Sequence, residues 1–136
     1  MELLSKVKEI FDNHPFSYIF TDGYKNVYNL IKAHPELAMQ FKHHSLTDDV
    51  LFDKYKENIP RGWYGFSIGT PVIPVWVTIL DEIVKLCIAT DPNFEIHQIK
   101  MKYGGIRFYC ESEVITDLRD ISSMISHTMY DNTLIY

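Results

Sequence analysis

"KYGGIRFY", residues 102–109, decides the fold of this chain. Its two glycines, Gly104 and Gly105, separate two runs in which apolar and polar residues alternate, Phe94–Tyr103 and Ile106–Glu111. Alternation with a period of two is typical of β-strands, and glycine accepts the positive φ angles of a tight turn at little steric cost. The stretch therefore predicts a β-hairpin.

A Gly-Gly loop sorts the flanking side chains into two faces. The predicted inner face carries Ile99, Met101, Tyr103, Ile106, Phe108 and Cys110. On the outer face Lys102 lies opposite Arg107; a register shifted by two residues keeps both faces and pairs Lys100 with Arg107 instead. Either pairing places like charges together, at a cost of a few tenths of a kcal/mol (~0.2 or more). We interpret this face as solvated; the alternative is a patch for an anion or an acidic partner.

Nucleotide and hydrolase motifs do not fit their surroundings. A phosphate-binding loop requires a helix after its glycines, whereas a strand follows Gly105. "GFSIG", residues 65–69, matches the nucleophile motif G-x-S-x-G around Ser67, but Pro71 and Pro74 follow and prevent the helix that this motif needs. We therefore expect Ser67 to be a strand or loop residue.

Apolar residues at three- and four-residue steps predict helices elsewhere. The stripes fall within residues 3–11, 24–31, 35–43, 48–57, 76–89 and 114–129, and Asp81 and Lys85 are expected to face outward on the fifth helix. Thr47 is the expected N-cap of the fourth helix, and Ser112 that of the C-terminal helix. A short strand is expected within Trp63–Ile68.

These elements predict a single α+β domain spanning residues 1–136. A small antiparallel sheet with a Gly-Gly hairpin at about 94–111 is packed by amphipathic helices, the last of them long. The helical N-terminal part covers about 1–58, and the hairpin with its helices covers about 62–130.

The net charge argues against nucleic-acid binding, and the spacing of the histidines and cysteines argues against a metal site. The formal net charge is −5, and residues 69–136 alone contribute −4. Nucleic-acid binders usually carry a basic surface, so we expect a basic protein partner instead. The six histidines and two cysteines form no metal-ligand spacing, and His97 is expected on the inner face of the hairpin. Cys87 and Cys110 are expected to be buried free thiols. The N-terminus does not read as a secretory signal, which predicts a cytoplasmic protein.

Acidic side chains recur at helical spacing in two segments. They are Asp48, Asp49, Asp53 and Glu57 in the first, and Glu111, Glu113 and Asp117 in the second. Such stripes are usually solvated faces, but they also suit contact with a basic protein. The aromatic residues Trp63, Tyr64 and Phe66 are interpreted as core packing under a loop, with a stacking platform for bases as the alternative.

The hairpin carries a family resemblance. "QIKMKYGGIRFY", residues 98–109, resembles the pattern QVKEKFGGLRFY of small phage and bacterial proteins of unknown function, with Met101 where that pattern has Glu. Those proteins also tend to carry a Gly-Trp before an amphipathic helix, as at Gly62-Trp63, and the likeness spans about residues 62–128. Many of them end in a cysteine-rich segment that this chain lacks.

In size and charge the chain also resembles immunity proteins of contact-dependent growth inhibition systems. That second resemblance implies a non-enzymatic, cofactor-free protein that binds and neutralises a cognate toxin, a basic nuclease domain. The alternative is a phage accessory protein that binds nucleic acid, through the aromatic cluster and the basic hairpin face, or a host-defence protein.

Overall fold

The computed structural model describes residues 2–13, 35, 46–69, 75–103 and 105–129. In these ranges the helices are α1 (Leu4–Asn13), α2 (Asp48–Tyr55), α3 (Val75–Thr90) and α4 (Leu118–Thr128), and the strands are β1 (Gly65–Ser67), β2 (Glu95–Lys102) and β3 (Gly105–Glu111). The predicted α+β class is confirmed. The helices predicted over 24–31 and 35–43 lie outside the described residues, apart from Pro35 itself.

The three strands form one sheet in the order β1-β2-β3. The predicted hairpin is the antiparallel pair β2–β3. β1 pairs parallel to β2, with Phe66 opposite Ile99, so the sheet is mixed. Parallel neighbours require a crossover connection, and α3 lies on the connection between β1 and β2.

The hairpin adopts the shifted register. Met101 lies opposite Ile106, Lys100 opposite Arg107, and Lys102 opposite Gly105. The loop therefore begins at Tyr103, whose φ is +51°. The register centred on Gly104-Gly105 was wrong, as was the inner position of Tyr103, because this residue occupies the turn and is exposed. Gly104 lies outside the described residues.

A β-bulge at His97 breaks the alternation of β2. The register shifts between Ile96 and Gln98, so Ile96 and Ile99 both reach the core although they are three residues apart. A bulge adds one residue to a strand and reverses the faces of the residues on its far side. Ile96, rather than His97, is therefore the fully buried residue at this end, which corrects the predicted inner position of His97.

Helix α4 covers the outer edge of β3. The hydroxyls of Ser122 and Ser126, one turn apart, donate to the carbonyl oxygens of Phe108 (2.9 Å) and Ile106 (3.0 Å). The Ile106 N–H in turn donates to the Met129 carbonyl at 3.1 Å. The free backbone groups of an open strand edge can pair with another chain, and here hydrogen bonds from α4 and Met129 satisfy those of Ile106 and Phe108.

The C-terminal helix begins later than predicted. Ser112 Oγ accepts hydrogen bonds from the N–H groups of Val114 (3.1 Å) and Ile115 (3.0 Å). Ser112 thus caps a turn, while the helix itself begins at Leu118 after Asp117. At α2 the cap prediction is confirmed: Thr47 Oγ accepts from a backbone N–H at 3.3 Å.

The core lies between the sheet and the helices. Helix α1 buries Val7 and Phe11, the preceding Leu3 is also buried, and the helix contacts α3 and α4. Helix α3 supplies most of the remaining core. Its fully or nearly fully buried residues include Trp76, Ile79, Leu80, Ile83, Val84 and Cys87. Among the described residues, no helix combines the length and hydropathy needed to cross a membrane.

Asp81 is buried, which corrects its predicted outward position. Its carboxylate accepts hydrogen bonds from Lys54 Nζ (2.8 and 2.9 Å) and from the Tyr55 hydroxyl, and Lys85 Nζ lies 3.4 Å away. Burial opposes the charged form, but the hydrogen bonds from Lys54 and Tyr55 outweigh it and lower the pKa of Asp81. The carboxylate therefore fastens α2 to α3.

Candidate binding surface

An open groove of about 950 Å³ surrounds the carboxyl end of β3. Strands β2 and β3 form one side, and the 112–114 turn and α4 form the other. Its lining residues are Trp63, Asp91, Asn93, Glu95, His97, Gln98, Phe108, Tyr109, Cys110, Glu111, Ser112, Glu113, Val114, Leu118, Arg119 and Ser122. The lining is thus a mixture of aromatic and acidic side chains.

Asp91 holds the base of the groove together. Its carboxylate is buried and accepts hydrogen bonds from the Asn93 N–H at 2.9 Å and the Ser112 hydroxyl at 2.6 Å. The Asn58 amide donates to the carbonyl oxygens of Pro92 and Phe94 in the same turn. The turn that enters β2 is therefore tied both to the residues after α2 and to those after β3.

Trp63 and His97 form a parallel stack at one side of the groove. Their ring centroids are 4.3 Å apart and the planes differ by 3°. His97 Nε2 lies 3.1 Å from Glu95 Oε1, so the imidazole is also held at its edge. Trp63 remains 47% exposed, and the neighbouring Tyr64 is also exposed, so only Phe66 packs in the core as predicted for this aromatic cluster.

Negative charge dominates the groove. Glu95, Glu111 and Glu113 are exposed, and Glu95 lies directly opposite Glu111 in the antiparallel register. Among the described residues that line this groove, Arg119 is the only Lys or Arg. Like charges directly opposite each other in a sheet are destabilising, so this end of the hairpin carries an electrostatic cost.

Helix α2 and the 3₁₀ turn after it (Lys56–Asn58) present the predicted acidic residues of the 48–57 segment. It buries only Leu51 and Tyr55, while Asp49 and Asp53 are exposed one turn apart and Glu57 follows in the 3₁₀ turn. Asp53 lies 3.6 Å from Lys56, a solvated pair that contributes little. Phe52 and Val50 are exposed on the same helix. The outer side of α2 thus combines carboxylates with apolar area.

Two of the predicted contact residues serve the fold instead. Asp48 accepts hydrogen bonds from the N–H groups of Ile68 and Gly69, both at 2.9 Å, and so joins α2 to the end of β1. Asp117 is only 7% exposed, and its carboxylate accepts from the Leu3 and Leu4 N–H groups at 2.8–3.0 Å. Asp117 is therefore not part of the candidate surface, because its carboxylate oxygens accept hydrogen bonds at the start of α1.

The groove contains a thiol, an imidazole and a carboxylate, but the thiol is not activated. Cys110 is a free cysteine that shares a hydrogen bond with the backbone of His97, not with its ring. Burial raises the pKa of Cys110 well above its ordinary value, and burial together with Asp117 raises that of Cys87 to about 12. A nucleophilic cysteine requires the opposite shift.

Other candidate reactive residues also have structural contacts. Ser67 ends β1, and its hydroxyl accepts from the Gln98 amide at 3.1 Å. His127 Nδ1 contacts the Ser123 carbonyl on its own helix at 2.7 Å. Within the described ranges, no three His, Cys, Asp or Glu side chains are arranged to hold a metal ion. Four of the six histidines, His14, His34, His43 and His44, lie outside those ranges.

The basic outer face of the hairpin is narrow. Lys100 and Arg107 are half-buried and directly opposite each other, and Lys102 Nζ lies 5.5 Å from the centroid of the Tyr103 ring. None of these three cations lines the groove, whereas Gln98 and Tyr109, the next pair along the same face of the hairpin, do.

Sequence reasoning missed Glu95 as a site residue, and it named Trp63 and His97 separately without predicting that they stack on each other. Glu95 comes opposite Glu111 only because the bulge changes the register by one residue, and periodicity cannot show a bulge. The available signal for Trp63 was its position after Arg61-Gly62 in an irregular segment, where exposed aromatic residues often bind partners.

The comparisons with known proteins add no relative. No family model, curated protein or solved structure matches this chain. The resemblance of residues 98–109 to the phage and bacterial hairpin pattern, and that of the chain to immunity proteins, therefore stay predictions.

Proposed function

We propose that this protein is a cytoplasmic immunity protein. It binds a cognate bacterial toxin, a basic nuclease domain, and blocks the active or substrate-binding site of that domain. It acts by occupying a surface and not by catalysis. The observation that carries the proposal is the groove, whose lining combines the exposed ring of Trp63 with the carboxylates of Glu95, Glu111 and Glu113.

This combination suits a protein interface better than a solvated surface. Exposed aromatic side chains supply the contact area of binding hot spots, and surrounding carboxylates select and steer a basic partner. The net charge of −5 extends the same preference over the whole molecule. Asp49, Asp53 and Glu57 add further exposed carboxylates on α2 and the 3₁₀ turn that follows it.

Co-expression tests the proposal in cells. The toxin domain encoded next to this chain should kill cells when expressed alone and spare them when this protein is present. Neutralising Glu95, Glu111 and Glu113 to Gln should reduce the protection, while Glu82→Gln on α3, outside the candidate surface, should not. If the toxin domain kills equally with and without this protein, the proposal is wrong.

One observation favours a second function. Trp63 and Tyr64 are exposed, and Lys100, Lys102 and Arg107 share the outer face of the hairpin. Aromatic rings beside cations bind single-stranded nucleic acid, as in a phage accessory protein. Changing the three cations to Ala should then abolish a salt-sensitive affinity for oligonucleotides, and absence of that affinity in the wild type at low salt excludes this function. A phage inhibitor of a host-defence protein would use the same acidic groove on a different target.

A further inference from the structure

The lining of the groove contains the Trp63 indole, stacked on His97, and the opposed carboxylates of Glu95, which contacts His97, and Glu111. We propose that the groove receives an arginine side chain from an extended basic segment of the partner, with the guanidinium on the indole and against the carboxylates. This inference rests on the proposed function, because it assumes a basic protein partner, and it names the chemistry by which that partner is recognised.

The stack leaves the indole ready for such a contact. His97 covers one face of Trp63 at 4.3 Å, and Glu95 holds His97 at 3.1 Å. Since Trp63 is nevertheless 47% exposed, its accessible area lies on the remaining face and edge. An indole held in place loses little freedom on binding, which favours affinity.

The two carboxylates explain why the groove should bind a positively charged group. Glu95 and Glu111 repel each other in the free protein, and a cation placed against both would remove that repulsion. Within the described residues neither has a Lys or Arg side chain in a salt bridge, and Asp91, which also lines the groove, already accepts two hydrogen bonds. Charge complementarity therefore selects a basic occupant.

Arginine fits better than lysine for geometric reasons. The guanidinium is planar, stacks on aromatic rings and donates two parallel hydrogen bonds to a carboxylate, whereas an ammonium group is a compact, strongly hydrated charge. The groove offers both an aromatic face and paired carboxylates within one region. Its volume of about 950 Å³ accommodates an extended segment around the inserted side chain.

Two indole N–H resonances give a direct test in solution. The chain has two tryptophans, exposed Trp63 and Trp76, which is 2% exposed, so one resonance reports on the groove and the other on the core. Trp63→Phe identifies the groove resonance. Titration with acetylated, amidated hexa-arginine should shift the Trp63 resonance saturably and leave that of Trp76 in place. Hexa-lysine should require a roughly two- to fivefold higher concentration, because it lacks the stacking contribution.

Charge-matched variants separate a specific site from general attraction. Glu95→Gln with Glu111→Gln should weaken the hexa-arginine response about fivefold or more, since both carboxylates are lost. Glu9→Gln with Asp12→Asn removes two charges from α1, outside the groove, and should change it less than about twofold, as screened surface charges do. An unmoved Trp76 resonance confirms that each variant is folded.

Several results would overturn the inference. The first two are a Trp63 resonance that does not shift at millimolar hexa-arginine and equal apparent affinities for hexa-arginine and hexa-lysine. The others are an equal loss of hexa-arginine affinity in the two double variants and tighter binding of an oligothymidine than of hexa-arginine. Binding of the toxin domain without any change at Trp63 would overturn this inference and leave the proposed function intact. A Trp63 response to hexa-arginine without toxin binding would overturn the proposed function and leave the arginine site intact.

Discussion

Glu95 and Glu111 lie directly opposite each other where the β2–β3 hairpin ends, with carboxylates on both strands. The bulge at His97 creates this pairing by changing the register at the last two residue pairs of the hairpin. Like charges in this position carry an electrostatic cost in the free protein, which the proposed arginine contact would relieve. Proteins commonly sacrifice some stability at functional sites, so this cost is itself an indication of a binding role.

Glu111→Gln should therefore stabilise the free protein. Removing one charge of the opposed pair should raise the free energy of unfolding by about 0.2–1 kcal/mol, measured by urea denaturation. Glu113→Gln, which removes the same charge two residues beyond the strand, should change it by less than about 0.5 kcal/mol. Destabilisation by Glu111→Gln would show that the two carboxylates do not repel each other.

Asp117→Ala should destabilise the protein by about 1–3 kcal/mol, because the N–H groups of Leu3 and Leu4 lose their charged acceptor. Asp120→Ala, in the exposed first turn of α4, should cost less than about 1 kcal/mol. Equal effects of the two substitutions on the urea midpoint would contradict the role of Asp117 as acceptor for the first N–H groups of α1.

The contribution of Asp117 should also depend on pH. Burial disfavours its charged form, but the two backbone donors outweigh burial and lower the pKa of Asp117. A carboxyl group whose pKa is lowered in the folded state contributes its full stability above the unfolded value of about 3.9, and that stability is lost as the pH falls through the lowered pKa. The difference in unfolding free energy between wild type and Asp117→Ala should thus shrink below about pH 4. A difference that is constant from pH 7 to pH 2 would exclude this linkage.

Tyr55→Phe should cost about 1.5–3 kcal/mol, because the hydroxyl hydrogen bonds to the buried carboxylate of Asp81. Burial and the neighbouring Asp81 also raise the pKa of Tyr55, so its hydroxyl keeps its proton at neutral pH. Lys85→Met, which removes a pair at 3.4 Å with a largely exposed lysine, should cost less than about 1 kcal/mol. If thermal denaturation ranks the two variants in the opposite order, Asp81 does not fasten α2 to α3 through Tyr55.

Ser122→Ala and Ser126→Ala should each cost about 0.5–1.5 kcal/mol, since each removes a hydrogen bond from α4 to a β3 carbonyl. Ser123→Ala on the exposed side of the same helix is the matched control and should change stability by less than about 0.5 kcal/mol. Hydrogen exchange at Ile106, whose N–H bonds to Met129, should accelerate in the double variant. Unchanged protection there would mean that the serines do not hold α4 on the strand edge.

The sequence was sufficient to predict which of the described segments form helices and which form strands. The alternation around Gly105 predicted the hairpin and most of its faces, and helical spacing predicted α1, α2 and α3 within one or two residues at the described ends. Local signals of this kind depend on neighbouring residues alone. The N-cap at Thr47 was found for the same reason.

The features that shape the groove depend on contacts between distant parts of the chain. The bulge at His97 follows from packing Ile96 and Ile99 into one core, and the burial of Asp81 follows from Lys54 and Tyr55 reaching it from another helix. The positive φ of Tyr103 belongs to a residue for which it is uncommon, so the turn was placed one residue too late. Single-sequence periodicity carries none of this information.

Binding between this protein and the proposed toxin domain, taken as the product of the gene immediately upstream, tests the central claim most directly. Titration calorimetry with a catalytically inactive form of that domain should give a 1:1 complex with a dissociation constant well below about 1 μM, weakened about tenfold or more by the Glu95→Gln, Glu111→Gln double variant. The intact protein should inhibit the nuclease activity of the active domain at the same stoichiometry. No complex at micromolar concentration, or a complex that leaves the nuclease fully active, would contradict the account.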